Sequence, residues 1–165
     1  MVGGEAAGEH LAAPFADWVA VYNANAERLI KLATFMVGSA EAADVVSEAM
    51  ARAVRSPQWG SVDNHAAFLS RVVVNEASRM LDSARRRSSR ELRVDRHDVV
   101  GVVDPRPDVI DAVRSLSGRQ RAVVFLTYWE DLTPALVADR LGVSEGSVRR
   151  HLARAKTKLR RVLHD

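Results

Sequence analysis

Between Gly146 and His164 the chain carries Arg149, Arg150, Arg154, Lys156, Lys158, Arg160 and Arg161 and no acidic residue. Val148, Leu152, Ala155, Leu159 and Val162 step by four, three, four and three in the same stretch, so on a helix they share one inward face. The cations then occupy the remaining faces. Groups of this kind bind polyanions. Arginine can grip guanine bidentately, serine can serve several bases, and glutamate can accept from cytosine. Glu145, Ser147, Arg149 and Arg150 fall at the start of this helix, where a base-reading helix makes its contacts. Arg154 and Lys158 lie further along and are better placed for phosphates, which position a protein without reading sequence. The plainer alternative is a solvated amphipathic helix closing a bundle.

What precedes this helix favours the first reading. Thr133-Pro134 is a strong helix start, because proline at the first helical position sacrifices no needed hydrogen bond. Leu136, Val137 and Leu141 follow, Gly142 allows a tight turn, and Ser144 is placed to cap the basic helix. A short helix over 134–141, a glycine turn and a longer helix make a helix-turn-helix. Upstream, Ser117 and Gln120 have capping-box spacing for a helix bearing Ala122, Val123, Phe125, Leu126 and Trp129. Val109, Ile110, Val113 and Leu116 suggest one more helix, opening this block at Asp108.

The first half is also helical. Trp18, Val19, Tyr22, Ala26, Leu29, Ile30, Ala33 and Met36 continue from Phe15 as a three-and-four stripe that ends near Gly38. Ser39 is the expected N-cap of a second helix, with Glu41 and Asp44 near its positive end and Val45, Val46, Ala49, Met50 and Ala53 on its buried face. The run from Ser56 to Ser61 breaks it. A third helix runs from about Asn64 into the 80s, burying Phe68, Leu69, Val72, Val73, Ala77, Met80 and Leu81. From Ala84 to Pro107 the periodicity fails among arginines, which reads as a basic linker or fraying helix end. The expected fold is all-α: a loose tail over 1–14, a bundle over 15–87, a linker over 88–107, and a helix-turn-helix bundle over 108–165.

Composition narrows the function. The chain has no cysteine, which removes disulfides, thiolate metal sites and cysteine nucleophiles together. Its five histidines are scattered without ligand-like spacing, so neither metal nor cofactor is expected. No apolar stretch approaches the roughly 18 residues of a membrane span, and the start lacks a signal peptide's pattern, so a cytoplasmic protein is expected. Residues 1–64 carry four basic and eight acidic residues, a formal −4, leaving +7 for the rest of a chain whose total is +3. Two surfaces with different partners, one of them polyanionic, would account for that asymmetry. No catalytic constellation stands out, and the chain reads as a non-enzyme.

Four stretches, in order, resemble the extracytoplasmic-function sigma factors of bacterial RNA polymerase, in particular their actinobacterial branches. They are Ser39 to Arg52; Ala67 to Asn75 with Arg85-Arg86-Arg87; Leu116 to Val124; and Leu141 to Val148 with Arg154-Ala155 after it. The resemblance implies two helical domains and a role in promoter-directed transcription initiation. It gives the second helix to the clamp helices of the polymerase's largest subunit, through Asp44, Val45, Ser47, Glu48 and Arg52. It gives the loop and third helix to the minus-ten promoter element, where family members capture a flipped base; Trp59 and Asn75 match those positions. Arg71, Asn75 and Arg79 recur every four residues on one helix face, with Arg86 roughly continuing it. Trp59 could stack on an unpaired base or pin the loop from the core; the charged residues could equally be solvated faces. The basic helix, Glu145 to Lys158, would read the minus-thirty-five element. Implied partners are core polymerase (clamp helices and flap), duplex and melted promoter DNA, and an anti-sigma protein; no membrane is expected.

This chain departs from the family pattern at Ser47 (usually Gln), Arg79 (usually acidic), Ser117 (usually Pro), Leu136 (usually Glu) and Arg149-Arg150 (often Lys-Ser). The competing reading is an ordinary helix-turn-helix regulator with a dimerising or sensing N-terminal bundle. That reading leaves the Arg-Asn-Arg stripe without a purpose.

Overall fold

The computed structural model describes residues 12–91 and 107–164; residues 1–11 of the expected tail and the middle of the linker, 92–106, lie outside the described residues, while residues 12–14, also expected in the tail, are helical and open the first helix. Among the described residues seven α-helices follow in order: α1 (Ala12–Val37), α2 (Ser39–Arg55), α3 (His65–Glu91), α4 (Pro107–Ser115), α5 (Gly118–Tyr128), α6 (Pro134–Leu141) and α7 (Glu145–His164). A single 3-10 turn, Trp59–Ser61, lies between α2 and α3. The all-α expectation holds. No described helix is long and apolar enough to cross a membrane.

The apolar stripes pack as their spacing requires. Leu29, Leu32, Ala33 and Met36 of α1 meet Val45, Val46, Ala49 and Ala53 of α2 and Leu69, Val73, Val74 and Ala77 of α3, making a three-helix bundle. In the second bundle α7 lies against α4, α5 and α6. Leu116, Ala122, Leu126, Val137, Leu141, Val148 and Ala155 are among its buried apolar residues. The inward face of α7 persists as far as half-buried Leu159 and then runs out, since Val162 is exposed.

The expected cap of α2 changes. Ser39 does not cap α2: it is the first helical residue, exposed, and the cap position belongs to Gly38, which makes no side-chain bond. One residue separates α1 from α2, and the chain reverses there at φ 101°, a conformation open to glycine. Of the two readings of the arginine run, the helix end holds for its described part, because α3 continues to Glu91. Arginine is a good helix former, and a solvated helix end needs no apolar stripe. Arg85 is partnered there, its Nη2 donating to Leu116 O at 2.8 Å.

The two bundles pack on each other. α3 lies along α5 and α6, α1 touches α5, and one buried apolar cluster runs through both halves. Phe35 of α1 and Phe125 of α5 meet across the seam with ring centroids 5.4 Å apart.

Candidate nucleic-acid interface

Local chemistry builds the helix-turn-helix. Thr133 Oγ1 accepts from Leu136 N–H at 3.4 Å with Pro134 at the start of α6, and Ser144 Oγ accepts from Ser147 N–H at 3.2 Å to cap α7. Between them Gly142 sits at φ 64°, ψ 42° and its N–H donates to Asp139 O at 3.2 Å, the left-handed turn that ends α6. α7 then presents Arg149, Arg150 and Arg154 to solvent, with Ser147 half-buried. Glu145 accepts from Arg149 Nη2 at 2.6 Å, an exposed pair one turn apart. Such pairs contribute about 0.3–0.5 kcal/mol, so a base edge or phosphate could replace the partner at little cost. Lys158 is turned toward its own bundle, Nζ donating to Ser115 O at 3.2 Å, and Lys156 lies 5.8 Å from the centre of the Tyr128 ring. His151 is held below its ordinary value of 6.5, chiefly by burial and then by Arg119, Arg154 and Arg150.

On the first bundle Arg71, Asn75 and Arg79 do share a face of α3, and with Arg52, Arg55, Gln58 and Phe68 they line a groove of about 450 Å³. A concave site with four guanidiniums, two amides and an aromatic edge suits a nucleotide: cations for its phosphate, amides for its base edge. Arg86 stands outside the groove, exposed about 10 Å further along the helix at 1.5 Å per residue.

Trp59 is not part of this groove. It is 6% exposed, edge-on to His65 at 4.6 Å and Phe68 at 6.3 Å, and its carbonyl lies 3.2 Å from His65 Nε2. It pins the loop from within, and its ring faces the core rather than an unpaired base. Arg55, Gln58 and Phe68 line the groove instead. Their signal in the sequence was faint: Arg55 lies one turn beyond Arg52, and Gln58 sits in the break ahead of α3.

Asp44, Ser47, Glu48 and Arg52 stand exposed on α2, as a docking face requires. Val45 does not join them. At 2% exposure it belongs to the core, so only its neighbours could touch a partner. Arg52 Nε bonds both Glu48 at 3.0 Å and Glu76 at 3.1 Å, and Glu76 also holds Arg79 at 3.3 Å. One carboxylate of α3, singled out by no sequence pattern, therefore joins the α2 face to the groove.

The seam between bundles crosses the same groove. Arg71 Nη2 donates to Asp139 O at 3.1 Å, and Arg119 Nη2 donates to Asn75 Oδ1 at 2.9 Å. Two glycines permit the approach: a Cβ on Gly142 would lie 2.6 Å from Arg71 Nε, and one on Gly118 would lie 2.6 Å from Ser78 Oγ. Further along, Glu130 accepts from Arg28 at 3.5 Å and Arg140 at 3.1 Å. Arg121, 6% exposed, donates to Met36 O of α1 and to Arg114 O at 2.8 Å. Burial, with Arg85 and Arg114 adding, pushes its pKa down to about 10, so it stays charged at neutral pH. Arg71 Nε, Ser78 Oγ, Arg119 Nη1, Arg121 Nε and Glu130 Oε1 are all buried there without a hydrogen-bond partner among the described residues. Each such atom costs about 1–3 kcal/mol, which offsets part of what the apolar contacts contribute.

Comparison with known proteins is consistent across the chain. Residues 21–87 match the family described as Sigma-70 region 2, and residues 107–159 match Sigma-70, region 4. The chain is 30% identical over 164 residues to the ECF RNA polymerase sigma factor SigL of Mycobacterium tuberculosis, covering 88% of each. It is 31% identical over 131 residues to the RNA polymerase sigma-E factor of Streptomyces antibioticus, covering 74% of this chain and 71% of that one. The fold matches the sigma factor RpoE in its co-crystal with the anti-sigma factor NepR from Bartonella quintana, at TM-score 0.67 and 19% identity, over 90% of this chain and 97% of that one.

Proposed function

Because this chain belongs to the extracytoplasmic-function sigma factors, we propose that it directs core RNA polymerase to a particular set of promoters and helps open them. The bundle over 15–87 would dock on the clamp helices of the polymerase through Asp44, Ser47, Glu48 and Arg52, with Val45 fixing α2 from behind. The groove of α3 would hold the melted minus-ten strand, Asn75 reading a base edge and Arg71, Arg79 and the outlying Arg86 taking phosphates. The bundle over 108–165 would lay α7 in the major groove of the minus-thirty-five element, with Glu145, Ser147, Arg149 and Arg150 toward bases and Arg154 and Lys158 toward phosphates. The chain would act in the cytoplasm and without catalysis of its own, the bond-making being the polymerase's. An anti-sigma protein is a further partner class.

The observation that carries this reading is the alignment of Arg71, Asn75 and Arg79 along one groove. A helix-turn-helix regulator would have no use for it. Run-off transcription from fragmented host DNA, with purified core polymerase and with or without this protein, is the direct test. Discrete transcripts that depend on the protein, from starts sharing two spaced upstream elements, are the expected result. If active polymerase yields no new transcripts, the promoter-directing role fails.

A further inference from the structure

Glu76 stands beside the groove assigned to melted DNA without lining it. It follows Asn75 directly and precedes Arg79 by three positions on α3. Its side chain is 18% exposed, and one oxygen, Oε2, faces two cations: Arg52 Nε at 3.1 Å and Arg79 Nη1 at 3.3 Å. Both of these line the groove, together with Arg55 and Arg71. Two of its four guanidiniums are therefore paired with one carboxylate before any nucleic acid arrives, one from α2 and one from α3. Glu48 also pairs with Arg52, at 3.0 Å, but its side chain is 51% exposed. Salt screens exposed pairs more than partly buried ones, so Glu76 is the more durable anchor.

What paired cations do to recognition follows from the physics of each contact. A phosphate held by arginine releases counterions and contributes affinity that is the same for every sequence. A base edge met by an amide contributes discrimination. With four free guanidiniums the groove would hold any single strand by its backbone, whether the base suited Asn75 or not. We propose that Glu76 is a positioning residue that sets the selectivity of this groove. It competes with phosphates for Arg52 and Arg79, so these cations pass to the backbone only on a strand that Asn75 also holds. This rests on the promoter-reading role given to α3 above. The charge of Glu76 is what matters here. A glutamine has nearly the same shape and can accept from one guanidinium, but it competes far less well with a phosphate.

Glu76→Gln is therefore the informative variant, measured in the chain bound to core RNA polymerase. One probe is a non-template-strand oligonucleotide from the minus-ten region of a promoter mapped by run-off transcription. The other has the same length and composition with its minus-ten bases scrambled. Both affinities are taken over a range of salt. Glu76→Gln should tighten the scrambled probe about tenfold and the matched probe about twofold, so that discrimination falls about fivefold. The slope of log affinity against log salt for the scrambled probe should steepen by about 1.4, two phosphates at about 0.7 each on a single strand. Adding Arg79→Ala should remove about half of that steepening, and Glu76→Asp should restore the discrimination. An unchanged ratio or an unchanged slope would overturn the proposal. So would equal weakening of both probes with a lowered melting temperature, the mark of a residue that only supports the fold. If the unsubstituted chain does not distinguish the two probes, the promoter-reading role itself has failed, and this proposal falls with it.

Discussion

The groove of α3 and the outer face of α7 are both rich in arginine, but the fold treats them differently. On α7, Arg149 and Arg150, which are proposed to read bases, are exposed, and the ion pair at Arg149 is with its own helix. On α3, Arg71 and Asn75 are engaged by the other bundle. The difference matches what each would have to read. Duplex bases in a major groove are always on offer, so a duplex reader can remain exposed. A reader of unpaired bases has no substrate until DNA melts, and an uncovered groove before then would gather only non-specific contacts.

Gly142 is where the contrast should break most severely. Valine there meets a left-handed backbone costing roughly 1–2 kcal/mol and a collision with Arg71 worth about 1–3 kcal/mol. Urea unfolding should report a loss of about 3 kcal/mol, with the helix-turn-helix and the seam damaged together. Next in size are two alanine variants expected to separate by step. Arg149→Ala should reduce promoter-specific transcription about tenfold, the worth of a bidentate base contact, by weakening closed-complex footprints over the upstream element. Asn75→Ala should leave those footprints intact and lower permanganate reactivity of the melted strand about fivefold, a hydrogen bond of roughly 1 kcal/mol. If both variants failed at the same step, the division of labour would be wrong. Lys158→Ala is milder: duplex binding should weaken alike on all sequences, and the slope of log affinity against log salt should fall by about 1.

The smallest effect concerns acidity. His151 has its pKa lowered in the fold from 6.5 by burial and by Arg119, Arg154 and Arg150. The unfolded chain therefore takes up a proton first. Stability is full above about 6.5 and declines as pH falls from there through the lowered value, beyond which the loss is complete. His151→Gln should flatten that part of a melting-temperature profile and leave neutral pH nearly unchanged.

Features set by near neighbours were legible from the residues alone. The capping box is reciprocal as its spacing implied, Ser117 N–H to Gln120 Oε1 at 2.9 Å and Gln120 N–H to Ser117 Oγ at 3.3 Å. The bounds of α6, its proline start and its glycine stop follow from turn chemistry that four residues specify. Features set by distant partners were not legible. Trp59 has the same local sequence whether it stacks on a base or on His65, and only the placement of α3 decides. Val45 adjoins Asp44, yet its position on the helix turns it inward. The arginines after Ala84 lack an apolar rhythm, but a helix already under way needs none. The seam itself depends on Gly118 and Gly142 fitting against Ser78 and Arg71, matches made across 40 and 71 positions that no periodicity encodes.

Gly142 thus answers to two masters at one codon. It lets the chain turn between α6 and α7, and it leaves room for Arg71 of the other bundle. A lineage that swapped this glycine for a larger residue, even one tolerating the turn, would alter the mating of the two halves in the same step. Drift in promoter preference can proceed along the outer face of α7, but the hinge of the motif is not free to wander with it.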